Sequence, residues 1–535
     1  MIFYIVNKLS ILSRMVLETL PYTTNNIFDA AADKVDTTTI VDTNPEKKKS
    51  IGEFATKVAI SKVEKSLKKL GFSLLDYQVE GVKWLIKRES KKNEVRGGLL
   101  CDEMGLGKTL QMISLIKSSS LKTNLIVVPA NLIYQWRDEI LKFAPEVKTT
   151  LLYGAQKFNI NIDSDIKQIF LTTYSTLVRG VSFDDISFDR LICDEVHYIR
   201  NSKAKCNRVI KSIKSKVRFG ITGTPIQNYV TDFTTLIQFI GVKLKPRMKL
   251  EDLRELASEY ILHRTKSELK NVNETFNIPD YKSEDIFLDF KSKEERDFYK
   301  IVECSYEECD CEEYQEAVLK TQEEKKALGV EDYKDSHPEK YISNKLDSYR
   351  FPEIYFLEKF LRLRQASILP KLIVDGYSKK FEKEYEDWKF SNTRLDFVAD
   401  SVEKTKKTII FTHFREEIKY LYEKLKTEEN RIAIIDGSMN SEVKNMVVRN
   451  AEKFDILLIQ INSGSTGLNL QCFTEVIFTA PAWNPYVQYQ AIARCHRIGQ
   501  TQTVTVKNIF MKSTIDESII QIQKCKNMLC ESLEF

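Results

Sequence analysis

The chain reads as an α/β protein in which two parallel-sheet domains flank a helical, charged insertion. Three observations predict this. Short apolar runs at 98–101, 125–128, 169–172, 191–193 and 218–221 alternate with helical-period segments such as 110–121 and 132–143. The alternation restarts at 408–411, 432–435, 456–459, 476–478 and 504–509. Between the two sets, from about 245 to 390, the chain has a mostly helical period and is rich in charge. Strands alternating with helices imply parallel sheets covered on both faces. The expected division is a loose N-terminal extension at 1–65, a first domain at 66–245, a linker and helical insertion at 246–390, and a second domain with a closing helix at 391–535.

Composition bounds the possibilities. The 535 residues suit three or four units, or two large α/β domains. Apolar residues make up 42% and charged residues 29%, so a packed core is available and wholesale disorder is excluded. With 81 basic and 76 acidic side chains the formal charge is +5, too even for a histone-like polycation. Nucleic-acid contact must then come from local patches. Residues 291–350 hold 11 basic and 17 acidic groups, and 303–316 hold seven acidic groups and no basic one. That stretch repels phosphate and reads first as a solvated helix face.

Ten scattered cysteines indicate a reduced, intracellular protein. Cys304, Cys309 and Cys311 lie near His337, but the spacing lacks a second CxxC-type pair, which argues against zinc. The apolar start at 1–17 is broken by Lys8 and Arg14 and has no cleavage-site pattern. It is expected to be neither a signal peptide nor a membrane span, and Met15 is an alternative start.

The chemistry begins at DEMGLGKT, residues 102–109, directly after an apolar run and directly before a helical segment. This is the place for a phosphate loop formed by Asp102, Glu103, Met104, Gly105, Leu106, Gly107, Lys108 and Thr109. Gly105 and Gly107 let the backbone aim N–H groups at phosphate oxygens, and the following helix adds its N-terminal dipole. Lys108 is placed to reach the β- and γ-phosphates of ATP, and Thr109 to bind Mg2+. The usual pattern has a glycine six residues before the lysine, where this chain has Asp102. DEVH at 194–197 leaves another buried run. Carboxylates there are costly unless they serve a cation. Asp194 is the candidate Mg2+ holder and Glu195 the candidate to orient or deprotonate a water.

GLGKT, DEVH and TGTPIQN (222–228) together resemble the helicase-like ATPases of superfamily two, and more finely the Swi/Snf family of DNA translocases. The likeness spans about 70–535 and implies two RecA-like domains. LLDYQVEGVKWL (74–85) resembles the family's adenine-reading segment, which implies Gln78 as base reader. LIVVPANLIYQW (125–136) and TTYSTL (172–177) resemble its DNA-backbone motifs. ILHRTKSEL (261–269) resembles its linker, with His263 where an arginine is common. RLRQASILPKL (362–372) resembles the helix entering the second domain, and 503–526 the final strand and brace helix.

In the second domain, TIIFTHF (408–414) is a strand–turn sequence, and small residues at 463–467 permit close approach to phosphate or sugar. QAIARCHRIGQ (490–500) is expected to put Arg494 and Arg497 on one helix face. Spacing alone makes them surface residues; the resemblance implies arginine fingers.

The resemblance implies a monomeric, ATP- and Mg2+-dependent motor that tracks duplex DNA through its phosphates and acts on nucleosomes or other DNA-bound proteins. It implies no membrane partner, and a nuclear setting or, for a viral protein, the host cytoplasm or a virus factory. Two alternatives stand beside it: a strand-separating DNA or RNA helicase, and an inactive ATPase fold kept as a binding scaffold. The presence of Lys108, Asp194, Glu195, Arg494 and Arg497 argues against the scaffold.

Overall fold

A computed structural model describes residues 45–91, 94–154, 160–163, 165–180, 183, 186–225, 230–245, 248–272, 278–304, 352–381, 388–389, 391–464, 470–497 and 499–532. The acidic run at 305–316, Cys309, Cys311, His337 and most of the 463–467 loop lie outside these residues. The chain forms two compact units, one of residues 1–277 with 525–535 and one of 278–524.

The first unit is built on seven parallel strands: β1 (Gly97–Leu100), β2 (Thr123–Val128), β3 (Lys148–Leu152), β4 (Gln168–Thr173), β5 (Ser187–Asp194), β6 (Lys214–Ile221) and β7 (Ile261–Leu262). Their order is β3-β4-β2-β5-β6-β1-β7. Alternation along each strand feeds two cores. Leu99, Leu125, Val127 and Leu191 face one layer of helices, while Leu100, Ile126, Val128 and Ile192 face the other. Period-two side-chain direction makes this split unavoidable in a sheet covered on both faces. Each fully buried aliphatic side chain contributes about 1.5–3 kcal/mol.

The register puts Leu100 beside Ile221 and Ile221 beside Asp194. The segments leaving β1, β6 and β5 therefore emerge side by side at one edge, with about 5 Å between neighbouring strands. Ligand sites in parallel sheets form at that edge.

The second unit has six parallel strands: β8 (Lys282–Leu288), β9 (Thr408–Thr412), β10 (Ile432–Ile435), β11 (Ile456–Gln460), β12 (Glu475–Phe478) and β13 (Thr505–Met511). Their order is β10-β11-β9-β12-β13-β8. Phe411, Ile459 and Phe478 enter one core, and Ile410, Leu458 and Ile477 the other. Arg394 and Asp516, both fully buried, pair beneath this sheet, and Arg394 also donates to Thr479 O at 3.0 Å.

Three expectations need correction. Part of the extension expected to be loose is a helix, Pro45–Lys69, whose Ile60, Val63 and Leu67 are buried at helical spacing. The insertion expected to be helical also supplies sheet. β7 lies against β1, and β8 pairs with β13 over seven residues. Arg494 and Arg497 do not share a helix face, because the helix Pro485–Ile492 stops before them. Past the helix, Leu470 N–H donates to Arg494 O at 3.1 Å, and the His496 side chain places Nε2 2.7 Å from Pro279 O.

Candidate nucleotide site

The loop after β1 has the shape its glycines allow. Gly105 and Gly107 have φ of +92° and +73°, in the left-handed region. Gly107 caps the helix Lys108–Ser118, so the loop opens onto a helix N-terminus. Lys108 Nζ folds back to donate to Asp102 O at 2.6 Å and Glu103 O at 3.3 Å, spanning the loop's mouth. Thr109 follows it, half-buried, in the first turn of the helix.

Gln78 lies on the loop. Its Nε2 donates to Leu106 O at 3.3 Å, and its Oε1 accepts from Leu75 N–H at 3.0 Å. Tyr77 Oη donates to the same Leu106 carbonyl at 2.9 Å. A Cβ at Gly107 would sit 2.5 Å from Gln78 Nε2, so any larger residue there forces the Gln78 amide to shift. Burial and Asp102 raise the Tyr77 hydroxyl well above its ordinary pKa, leaving it a donor at every physiological pH.

Asp102 departs from its expected place among the nucleotide-binding side chains. Its carboxylate is fully buried and accepts from Arg264 Nε at 2.8 Å and Gln111 Nε2 at 3.0 Å. Only its backbone carbonyl, taken by Lys108, faces the loop. The next side chain, Glu103, accepts from Lys266 N–H at 2.7 Å and pairs with Lys266 Nζ at 3.2 Å. Met104 packs against Gly223 of the TGT turn, where a Cβ would lie 2.8 Å from Met104 Cγ and 3.7 Å from Lys108 Nζ.

Asp194 ends β5 with both carboxylate oxygens engaged. Oδ2 accepts from Trp136 Nε1 at 2.7 Å, and Oδ1 from Glu195 N–H at 2.9 Å. Tyr174 Oη donates to Asp194 O at 2.7 Å. Burial and the neighbouring Glu195 charge push the Asp194 carboxyl up to about 7, while the indole donor and the Lys108 charge pull it down. Glu195 itself has φ of +46°, a costly left-handed conformation for a residue with a Cβ. Its Oε2 lies 3.2 Å from His197 Nδ1. Two adjacent, crowded carboxylates beside a phosphate loop fit a divalent cation, which would favour their ionised form.

In the second unit the loops after β9, β10 and β11 join. Arg415 Nε donates to Asp436 Oδ2 at 3.2 Å, and Gly437 N–H to Gln460 Oε1 at 3.0 Å. Gln460 Nε2 in turn donates to His413 O at 3.4 Å. His413 Nε2 lies 2.9 Å from Ala480 O, and Arg364 Nη2 lies 3.0 Å from its Nδ1 and 2.8 Å from its Nε2, contacts that suit the tautomer protonated at Nε2. That tautomer is neutral, in line with burial and the Arg364 charge holding its pKa well below the ordinary value. Arg494 and Arg497 are both half-buried, on a turn closed by Gln500, whose Nε2 donates to Gln471 O at 2.9 Å.

Trp136, Gln111 and Arg264 hold this site, and sequence reading assigned none of them to it. Trp136 stands in a motif read as facing DNA, yet its indole serves Asp194. The one available signal was Asp102, a carboxylate directly after a buried strand that needs a cation.

Two parallel-sheet domains, one carrying a glycine loop before a helix N-terminus and an acidic strand end, define a helicase-like fold with a candidate nucleotide site. Residues 77–246 match the SNF2-related domain family, and residues 392–499 match the helicase conserved C-terminal domain; together they cover just over half the chain. The chain belongs to the SNF2-related family. It is 28% identical over 481 residues to an uncharacterized ATP-dependent helicase of Mycoplasma genitalium, covering 85% of this chain and 42% of that protein. It is 27% identical over 499 residues to a CHD3-type chromatin-remodeling factor of Arabidopsis thaliana, covering 85% and 37%. A Sulfolobus solfataricus SWI2/SNF2 ATPase core in complex with dsDNA is similar at 22% identity and a TM-score of 0.37, over 86% of this chain and 92% of that one. The chain thus spans about two fifths of the length of the curated relatives named here. Among the described residues, no helix is long and apolar enough to cross a membrane.

Proposed function

We propose that this chain hydrolyses ATP, is stimulated by DNA, and tracks duplex DNA so as to remodel or displace bound proteins. The convergence of Lys108 and Asp194 at the C-terminal ends of β1 and β5 carries this reading, the Lys108 charge acting directly on the buried carboxylate. The loop's N–H groups bind the phosphates, and Lys108 exchanges its loop carbonyls for phosphate oxygens. Glu195 orients the attacking water and accepts its proton at the carboxylate. Thr109 and Asp194 would hold Mg2+, which would supply neutralisation of the phosphate charge. Arg494 and Arg497 stabilise the charge spreading over the transferred phosphoryl group.

The polar cluster around Arg415, Gly437 and Gln460 supports backbone contact to nucleic acid. It places the exposed Arg415 guanidinium, paired with Asp436, and the Gly437 N–H, bonded to Gln460, at strand ends where phosphate could replace those partners. Affinity should accordingly fall linearly with log salt and depend little on sequence. The similarity to a plant chromatin-remodeling factor supports a nuclear setting.

The test is the ATPase rate with duplex DNA, single-stranded DNA and RNA, run beside release of a strand from a forked duplex. Stimulation by duplex without strand release is expected. Robust strand release makes the protein an unwinding helicase, and absence of hydrolysis in both wild type and Lys108→Ala makes it a scaffold.

A further inference from the structure

The linker after β7 returns to the nucleotide loop. Cys101 N–H donates to Leu262 O at 2.7 Å and Glu103 N–H to Arg264 O at 2.9 Å, so 262–266 runs along the root of the loop. At its centre the Arg264 guanidinium meets three segments at once. It grips Asp102 through Nε at 2.8 Å and Nη2, donates to Tyr77 O through Nη1, and reaches Gln111 Oε1 at 3.0 Å. Its carbon centre lies 5.2 Å from the centre of the Tyr77 ring. Gln111 and Tyr77 both close back onto Leu106 O, at 3.4 and 2.9 Å. The two ends of the loop, Asp102 and Leu106, thus belong to one hydrogen-bonded ring that Arg264 closes. There is no slack in it: a Cβ on Gly81 would lie 1.9 Å from Gln111 Oε1 and 2.8 Å from Arg264 Nη2.

We propose that Arg264 is the positioning residue of the nucleotide loop, holding Asp102, Tyr77 and Gln111 as one brace that presets the loop for a nucleoside triphosphate. Arg264 acts on the loop through Asp102, Tyr77 and Gln111. Its planar fork is what the geometry needs, since a lysine ammonium cannot serve Asp102, Tyr77 O and Gln111 together. The same contacts tie the loop's conformation to the segment by which the chain leaves the first unit. This inference rests on the ATP-dependent reading above.

The experiment compares wild type, Arg264→Lys, Asp102→Asn and the double variant. It measures binding of a fluorescent ATP analogue, KM and kcat for ATP, and thermal melting. Arg264→Lys keeps the charge and loses the fork. It should raise Kd and KM about tenfold to a hundredfold, the effect of charged hydrogen bonds lost, while kcat at saturation stays within about threefold. The double variant should add little to the stronger single, as expected for partners in one network. A purely structural arginine would lower the melting temperature with Kd unchanged. Folded Arg264→Lys with wild-type Kd and KM overturns the proposal while leaving the ATPase reading intact. Wild type that binds no nucleotide overturns both. Should Arg264→Lys not fold, Gln111→Leu reads the same brace: a several-fold rise in Kd supports it, and a wild-type Kd overturns it.

Discussion

The indole N–H of Trp136 donates to Asp194 Oδ2 at 2.7 Å, linking the end of one motif to the start of another across 58 residues of chain. The bond favours the carboxylate over the acid in a buried site where Glu195 opposes ionisation. Trp136→Phe keeps the packing and removes the donor. A bond to a charged group is worth about 1.5–3 kcal/mol, so the Asp194 pKa should rise by about one to two units. The alkaline-going limb of the ATPase rate profile, recorded at subsaturating Mg2+, should move up by that amount. An unmoved limb with wild-type kcat counts against the role of the indole.

Asp194 also links activity to stability. Its folded pKa is raised to about 7, above its ordinary value, so folding disfavours the ionised form. The penalty is absent below about pH 4, grows up to about pH 7 and is constant above it. Asp194→Asn removes it. Without nucleotide or Mg2+, this variant should melt higher than wild type at pH 8 and about equally at pH 4, while losing hydrolysis. A lower melting temperature at pH 8 would show that the carboxylate is stabilising there.

Ten strands were legible in the sequence because each is an apolar run buried in a sheet. The three that were not have physical reasons. β3 lies at a sheet edge and is only half-buried, β7 has two residues, and β8 is an edge strand of charged, mostly exposed residues. The phosphate loop and DEVH were legible because glycine geometry and strand-end carboxylates leave local signatures. The Arg264–Asp102 pair joins residues 162 apart, a distance at which local spacing carries no signal. Arg494 and Arg497 keep their motif, but the helix ends at Ile492, before them, and they sit on a turn that Leu470 N–H contacts at Arg494 O.

Those two arginines give a prediction separable from nucleotide binding. If they act on the transferring phosphoryl group, Arg494→Ala and Arg497→Ala should each lower DNA-stimulated kcat by about a thousandfold or more, the range of arginine fingers. The Kd for ATP should stay within a few-fold, because the contact forms only with the transition-state charge. Equal losses in Kd and kcat/KM, with kcat preserved, would make them ground-state binding residues.

Gly107→Ala tests the loop itself. At φ of +73° an alanine pays about 1–2 kcal/mol in backbone strain. Its Cβ would also sit 2.5 Å from Gln78 Nε2, and the neighbour must move. The amide can retreat only by giving up Leu106 O or Leu75 N–H, which loosens the contact between the Gln78 segment and the loop. ATP affinity should therefore fall more than tenfold, with a melting temperature a few degrees lower. Adding Gln78→Ala to Gly107→Ala makes room for the new methyl group and should recover part of the lost stability. If Gln78 reads the base, the double variant should not recover ATP affinity. Recovery of affinity in the double variant would show that Gln78 does not read the base.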